Sequence, residues 1–193
     1  MKRLEFTGAR DCYLPDKNNA HNYVLDTSTI NKLVERPKDL DMVVLAKEEL
    51  GYAYYCSIIQ IQEIQGMKTD GTFWNMSPQM QQKSAQMLNI IETLPILRIP
   101  HMASLRPNTW ILDGTCHLLE DSGKLHDVFC NVFSNKRDNL EDAIIIESAM
   151  RFECIVVSND RAMCENTNAV YPGRTIWYKK FIEETKEKLS NNH

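Results

Sequence analysis

The sequence predicts an α/β fold built on a parallel sheet, on three observations. Short apolar runs rich in β-branched and aromatic residues recur along the chain: Tyr23-Val24-Leu25, Tyr52-Ala53-Tyr54-Tyr55-Cys56, Ile96-Leu97-Arg98-Ile99, Cys154-Ile155-Val156-Val157 and Thr175-Ile176-Trp177. Between them lie segments with helix signals: capping boxes, terminal glycines and one long amphipathic stripe. Parallel strands need crossovers of that kind, so the alternation reads as successive βα units. The third observation is size and composition. The chain has 193 residues, 43% hydrophobic and 25% charged. That is enough for one α/β domain with a buried core, with room for extensions.

Taken in order, residues 1–22 are polar and aperiodic, with Leu4-Glu5-Phe6 as a short edge strand. They read as an N-terminal extension, and residues 23–193 as one domain. Residues 23–26 form the first strand, and Ser28 to Arg36 a short helix stopped by Pro37. Leu40 to Leu50 is a second helix, ended by Gly51 as a left-handed cap. The second strand, 52–56, leads at once into Ser57-Ile58-Ile59-Gln60, a capping box that opens the helix bearing Glu63. Gly66 ends that helix, and 67–78 reads as a loop.

Gln79 to Leu94 is a long amphipathic helix with Met80, Met87, Leu88, Ile91 and Leu94 as its apolar side. Pro95 and Pro100 bracket the third strand. Residues 107–135 read as helical, in two pieces around Ser122-Gly123-Lys124. Asp138-Asn139-Leu140-Glu141 is a second capping box, leading into a helix over 140–152. Its triple isoleucine suits a strand, but Ala143, Glu147, Ala149 and Met150 favour helix. The fourth strand is 154–158, followed by a short helix. The fifth is 175–177, and Lys179 to Leu189 forms a charged helix. The chain has no internal repeat or low-complexity tract.

Two of these strands end on an aspartate, Asp26 and Asp160, and Asp142 opens the helix before the second of them. Glu63 lies in the helix that follows another strand. The carboxyl edge of such a sheet is where α/β folds place their ligands. Carboxylates gathered there repel one another unless a cation holds them, and hard divalent ions such as Mg²⁺ take oxygen ligands of this kind. The pattern points to metal-dependent phosphate chemistry.

Each residue also has an ordinary structural reading. Asp26 suits the N-cap of its helix, Asp142 a first turn favoured by the helix dipole, Asp160 a strand-to-helix turn, and Glu63 a solvated helix position. What the ordinary readings leave unexplained is that all four fall at one edge.

Composition narrows the alternatives. The net charge is −4, which argues against a broad basic surface that binds nucleic acid by charge alone. If the four carboxylates share a site they account for that whole charge, and a bound cation would offset it. The six cysteines include no Cys-x-x-Cys pair, and the five histidines stand at no zinc-ligand spacing. The expectation is a reduced, cytoplasmic protein with no signal peptide and no membrane span.

No glycine-rich phosphate loop follows any strand. A haloacid-dehalogenase-type phosphatase needs a second aspartate two residues after the first, where this chain has Ser28. A receiver domain needs an adjacent acidic pair early in the chain, and none stands at the first strand. For substrate, Arg161 beside Asp160 is the foremost phosphate contact. Arg36, Lys38, Lys136, Arg137, Arg174, Lys179 and Lys180 are others. Trp74, Trp110 and Trp177 suit base stacking or ordinary packing.

Four segments together resemble the ordered blocks of PIN-domain ribonucleases, the toxin-type members most of all. They are Tyr23-Val24-Leu25-Asp26-Thr27-Ser28, Ser57 through Ile64, Asp142 through Ala149, and Val156-Val157-Ser158-Asn159-Asp160. They span residues 23–160, most of the chain. The family usually has Thr at the position of Ser158, and this chain is longer than the small toxin-type members, in 1–22 and within 101–138.

The resemblance implies a three-layer α/β/α sandwich, doubly wound around a central, mainly parallel twisted sheet, with a site for one or two Mg²⁺ or Mn²⁺ ions. Asp26, Asp142 and Asp160 would be metal ligands, and Glu63 a ligand or the residue that orients water. Ser28 and Ser158 would hold carboxylates or water in place. The implied activity is endoribonuclease hydrolysis of RNA phosphodiester bonds. The implied partners are RNA, a second copy of the chain and a small antitoxin protein over the acidic cleft. A rival reading is a catalytically weak PIN domain that binds RNA or protein.

Overall fold

The apolar runs pair side by side, all pointing the same way. A computed structural model of the chain describes residues 12–67, 73, 75–99, 101–102, 116–117, 132 and 140–192. Its elements in order are β1 (Asn22–Leu25), α1 (Thr27–Glu35), α2 (Pro37–Glu49), β2 (Ala53–Ser57), α3 (Ile58–Ile64), α4 (Pro78–Thr93), β3 (Leu97–Ile99), β4 (His101–Met102), β5 (Cys116–His117), α5 (Leu140–Arg151), β6 (Ile155–Ser158), α6 (Arg161–Val170), β7 (Thr175–Trp177) and α7 (Tyr178–Asn191). The central sheet runs β3-β2-β1-β6-β7, every pairing parallel. The chain moves outward from β1 to β3, then returns to β1's other side with β6. That reversal makes the β1/β6 boundary the switch point where open α/β sheets leave a crevice.

The period of two along each strand sorts the core into two layers. Tyr23 and Leu25 of β1, Tyr54 and Cys56 of β2 and Val157 of β6 face one side, against α1, α2, α4 and α7. Val24, Tyr55, Ile99 and Val156 face the other, against α5 and α6. The fold is a three-layer α/β/α sandwich with a parallel central sheet. On the first side, Tyr23, Tyr52, Tyr54 and Phe181 pack ring against ring, with centroids from 4.9 to 6.4 Å apart. Tyr54 donates its hydroxyl to the Val43 carbonyl at 3.0 Å, and Tyr178 of α7 donates to Asp39 of α2 at 2.7 Å.

Several expectations need correction. Pro37 not only follows the end of α1 but opens α2, which starts three residues before the expected Leu40. Proline suits the first helical position, where its missing N–H would have no partner. Met80 is exposed, and Ile90 replaces it among the buried residues of α4. Met80 continues the Ser84, Met87, Leu88, Ile91 stripe backward by one turn, but burial begins only at Ser84, which donates to the Ile64 carbonyl at 2.6 Å. Cys116 and His117, expected in a helix, form β5, paired in parallel with β4. A two-residue strand exists only through its partner, which local periodicity does not reveal. Leu4-Glu5-Phe6, Ser122-Gly123-Lys124 and the Asp138-Asn139 half of the second capping box lie outside the described residues.

Gln60 shows how the fold is tied together near the switch point. It is fully buried. Its side-chain carbonyl accepts from the Ser57 N–H at 2.7 Å, and its amide donates to the Leu25 carbonyl at 2.6 Å. One side chain thus joins the start of α3 to the end of β1. Gln60→Leu would leave two buried backbone groups unpaired, each costing about 1–3 kcal/mol. Urea unfolding followed by circular dichroism is expected to show a loss of about 2–4 kcal/mol, with an unchanged m-value. An unchanged midpoint would show that this link contributes nothing.

Candidate metal centre at the carboxyl edge of the sheet

The strand period also places the acidic residues. Asp26 follows Leu25 and shares a side with Val24, the side covered by α5. Ser158 shares that side with Val156 and stands opposite Trp177 in the β6/β7 register. α5 feeds β6, so its first turn, with Asp142, lies at the carboxyl edge of the strands. α6 leaves from that edge with Asp160 as its N-cap, and α3, bearing Glu63, leaves from the end of β2.

Asp26 occupies the N-cap position of α1, yet its side chain makes no capping bond. Its Oδ2 accepts from the Ser28 hydroxyl at 2.6 Å and from the Ser158 hydroxyl at 2.9 Å. Each serine is itself held by backbone. The Asn159 N–H donates to Ser28 Oγ at 2.9 Å, and the Asp160 N–H to Ser158 Oγ at 3.0 Å. The β1 end is sewn to β6 by two more bonds, Asp26 N–H and Thr29 Oγ1 both donating to the Val157 carbonyl, at 3.0 and 2.7 Å. The buried Asp26 carboxylate is therefore fixed, with Oδ2 saturated from its own protein. Among the described residues Oδ1 accepts no hydrogen bond.

Asp160 divides its carboxylate differently. Oδ1 caps α6 by accepting from the Met163 N–H at 2.9 Å, so the ordinary reading of this residue holds for one oxygen. Glu63 accepts from Thr27 Oγ1 at 2.7 Å through Oε2. It keeps open surface, yet protein packed around its carboxylate raises its pKa, and the negative charges of Asp26 and Glu141 add to that. Asp142 is the focus of the field. Burial first, then the charges of Asp26, Glu63, Asp160 and Glu141, push its carboxyl from 3.8 up to about 7.

Asp142 thus lies within electrostatic reach of Asp26, Glu63 and Asp160 at the carboxyl edge of the sheet. Among the described residues, no three His, Cys, Asp or Glu side chains stand at the spacing of ligands sharing one ion. The site's donor chemistry, all carboxylate and hydroxyl oxygen, fits Mg²⁺ or Mn²⁺ rather than a thiolate- or imidazole-binding metal.

Arg161 lies next to Asp160 in sequence, but its guanidinium is directed along α6. It donates from Nε to Glu165 at 2.7 Å and lies over Trp177. Lys136, Arg137, Trp74 and Trp110 lie outside the described residues. Sequence reading missed Thr27 and the second bond of Gln60. Thr27 carries no signal beyond its place after Asp26, and the capping box announces only half of what Gln60 does. Comparison of the sequence with protein-family models gave no match, and comparison with curated proteins gave none either. No helix among the described residues is long and apolar enough to cross a membrane.

Proposed function

We propose that this protein is a metal-dependent endoribonuclease of the PIN type, hydrolysing RNA phosphodiester bonds at the carboxylate site. The observation that carries the reading is that Asp26, Glu63 and Asp160 all lie within electrostatic reach of Asp142 at the carboxyl edge of an all-parallel sheet, Asp26 and Asp160 from strand ends, Asp142 from a helix start and Glu63 from the last turn of α3. A cluster strained enough to hold the Asp142 carboxyl near 7 has a reason to exist if a divalent cation offsets it.

Asp26 Oδ1, Asp142 and the uncapped oxygen of Asp160 would be the ligand atoms, and sharing one ion would require them to draw closer than they stand here. Glu63, steadied by Thr27, stands ready to ligate or to orient a water. Ser28 and Ser158 keep Asp26 from rotating, which is how outer partners tune a metal ligand. Mg²⁺ or Mn²⁺, when bound, supplies Lewis-acid activation of water and charge for the leaving oxygen.

The experiment is direct. Purified protein with Mg²⁺ or Mn²⁺ is expected to cut unstructured RNAs and to stop in EDTA. RNA that is bound but never cut would favour the binding-module reading instead. Millimolar Mn²⁺ is also expected to raise the melting temperature, since an ion that binds only the folded state stabilises it by about 2.7 kcal/mol at a hundredfold excess over Kd. Identical melting curves with and without Mn²⁺ would remove the metal from this account.

The reading also brings self-association and a small antitoxin. Val44 and Leu45 on α2 are exposed apolar residues that suit a second copy of the chain. Light scattering is expected to give twice the monomer's 22.4 kDa. A cationic side chain of an antitoxin would find four carboxylates to pair with. Host cells expressing the chain alone are expected to stop growing, and healthy growth with active enzyme would exclude the toxin role.

A further inference from the structure

Beside the carboxylates, a cavity of about 580 Å³ opens between α6, β7 and the start of α7. That volume lies within the range of sites that hold a small organic ligand. Its rim begins at the acidic edge itself. Arg161, the residue after Asp160, and Trp177, opposite Ser158 in the sheet register, line it side by side. The Arg161 guanidinium carbon is 5.5 Å from the Trp177 ring centroid, and Nε donates to Glu165 at 2.7 Å. A planar cation is thus parked against an indole, held there by a carboxylate. The remaining N–H donors of its fork suit a phosphate.

The floor is rigid, because Asn168 is tied to Thr175 twice, donating from Nδ2 to its carbonyl at 2.8 Å and accepting its N–H through Oδ1 at 3.1 Å. Lys180 adds a second cation to the rim, in a loose, exposed pair with Glu184 at 3.6 Å. The lining thus brings two cations and one carboxylate, Glu165, beside the acidic edge, with both cations on exposed ion pairs that a phosphate can join.

We infer that this cavity is a subsite for one unpaired nucleotide of a single-stranded RNA, with its base stacked at the Arg161–Trp177 wall and its phosphate on Arg161 and Lys180. The inference rests on the nuclease reading for its polynucleotide. An acidic centre repels the phosphodiester it must receive, and adjoining cations reduce that repulsion. An aromatic face takes any base without reading its sequence. The nucleotide in the cavity lies on the α6/β7 side of the scissile phosphate, away from Glu63.

The test measures binding and cleavage separately. Anisotropy of a fluorescein-labelled decauridylate with Mn²⁺ is measured on the full chain carrying Asp26→Asn. In the same background, adding Trp177→Leu is expected to weaken binding about ten- to a hundredfold. A decamer with abasic positions should show no such loss. Arg161→Ala and Lys180→Ala, both at exposed positions, are expected to weaken both oligomers. Trp177→Phe should restore most of the affinity, which separates loss of the stacking face from loss of packing.

Uridine monophosphate binding as tightly as the decamer would make this a free-nucleotide site and overturn the inference. So would no binding of the decamer at about 100 μM, the weak limit of non-specific association. If the Trp177 and Arg161 variants bind as the parent does while the wild type cuts RNA with Mn²⁺, the subsite falls and the nuclease stands. If the variants lose binding but the wild type cuts nothing, the subsite stands and the nuclease falls.

Discussion

Asp26→Asn is expected to lower RNA cleavage by more than about 100-fold. Losing an outer partner of a metal ligand already costs about 10–100-fold, and here the ligand's own charge is removed. The fold should survive. The substitution keeps the shape, and one amide oxygen can still accept from Ser28 and Ser158, whose hydroxyls reach Oδ2 at 2.6 and 2.9 Å. What changes is the atom facing the cleft, from an anionic oxygen to an oxygen or N–H group without charge. Ser28→Ala and Ser158→Ala are expected to cost about 10-fold each, since they free the carboxylate to rotate without removing it. The readout is initial cleavage rate with Mn²⁺, beside melting curves. Wild-type rates from Asp26→Asn, or cleavage that persists in EDTA, would place the chemistry elsewhere.

The second large effect concerns Asp142 and pH. In the folded protein its carboxyl is raised to about 7, against 3.8 for the unreacted side chain. Between these values the folded state holds a proton that the unfolded state has released. Stability of the metal-free protein therefore falls as pH rises from about 4 to about 7, then levels off. Asp142→Asn removes that dependence. In EDTA at pH 8 the variant is expected to be more stable than the wild type by about 1–3 kcal/mol, and near pH 4 the gap should close.

Adding Mn²⁺ should reverse the order, because on the proposed reading the variant has lost a ligand and gains less by mass action. Below pH 7 protons compete with the cation for Asp142, so Mn²⁺ affinity and cleavage should decline together as pH falls. Denaturant unfolding at several pH values checks the first part and calorimetric titration the second. Parallel pH curves for the two proteins in EDTA would show that Asp142 feels no such field.

How far the sequence could be read follows from how local each signal is. Tyr23-Val24-Leu25, Ser57 through Gln60 and the alanines of α5 speak through near neighbours, and their elements appear within a residue or two of the expected bounds. Gly51 and Gly66 carry positive φ of 67° and 75°, as helix-ending glycines should. The sheet order was beyond local reading, since β1 pairs with β6 across about 130 residues. So was the two-residue pairing of β4 with β5, which no period announces.

In the site, the residue types and their strand-end positions were visible. Ser28 and Ser158 were expected through the resemblance to hold carboxylates or water, but that both meet on one oxygen of Asp26 was not legible, because one comes from the next turn and one from the far strand. Arg161 was legible as a cation beside Asp160, but its attachment to Glu165 and Trp177 depends on the α6/β7 packing.

The β1/β6 pairing also sets an order on the ribosome. Synthesis delivers Asp26 and Glu63 early, and β2 can take its place beside β1 while the other flank of β1 is still bare. Asp142 and then Asp160 emerge only after most of the chain has been made, and Ser158, which fastens Asp26, emerges 132 positions after it. A nascent or prematurely terminated chain ending before α5 carries half of the carboxylates and an open strand edge. If the proposed nuclease reading holds, it would be inert toward the very messenger being translated, and the full carboxylate set would arise only as β6 docks. On the nuclease reading, timing of assembly would shield the translating cell before any partner protein is needed.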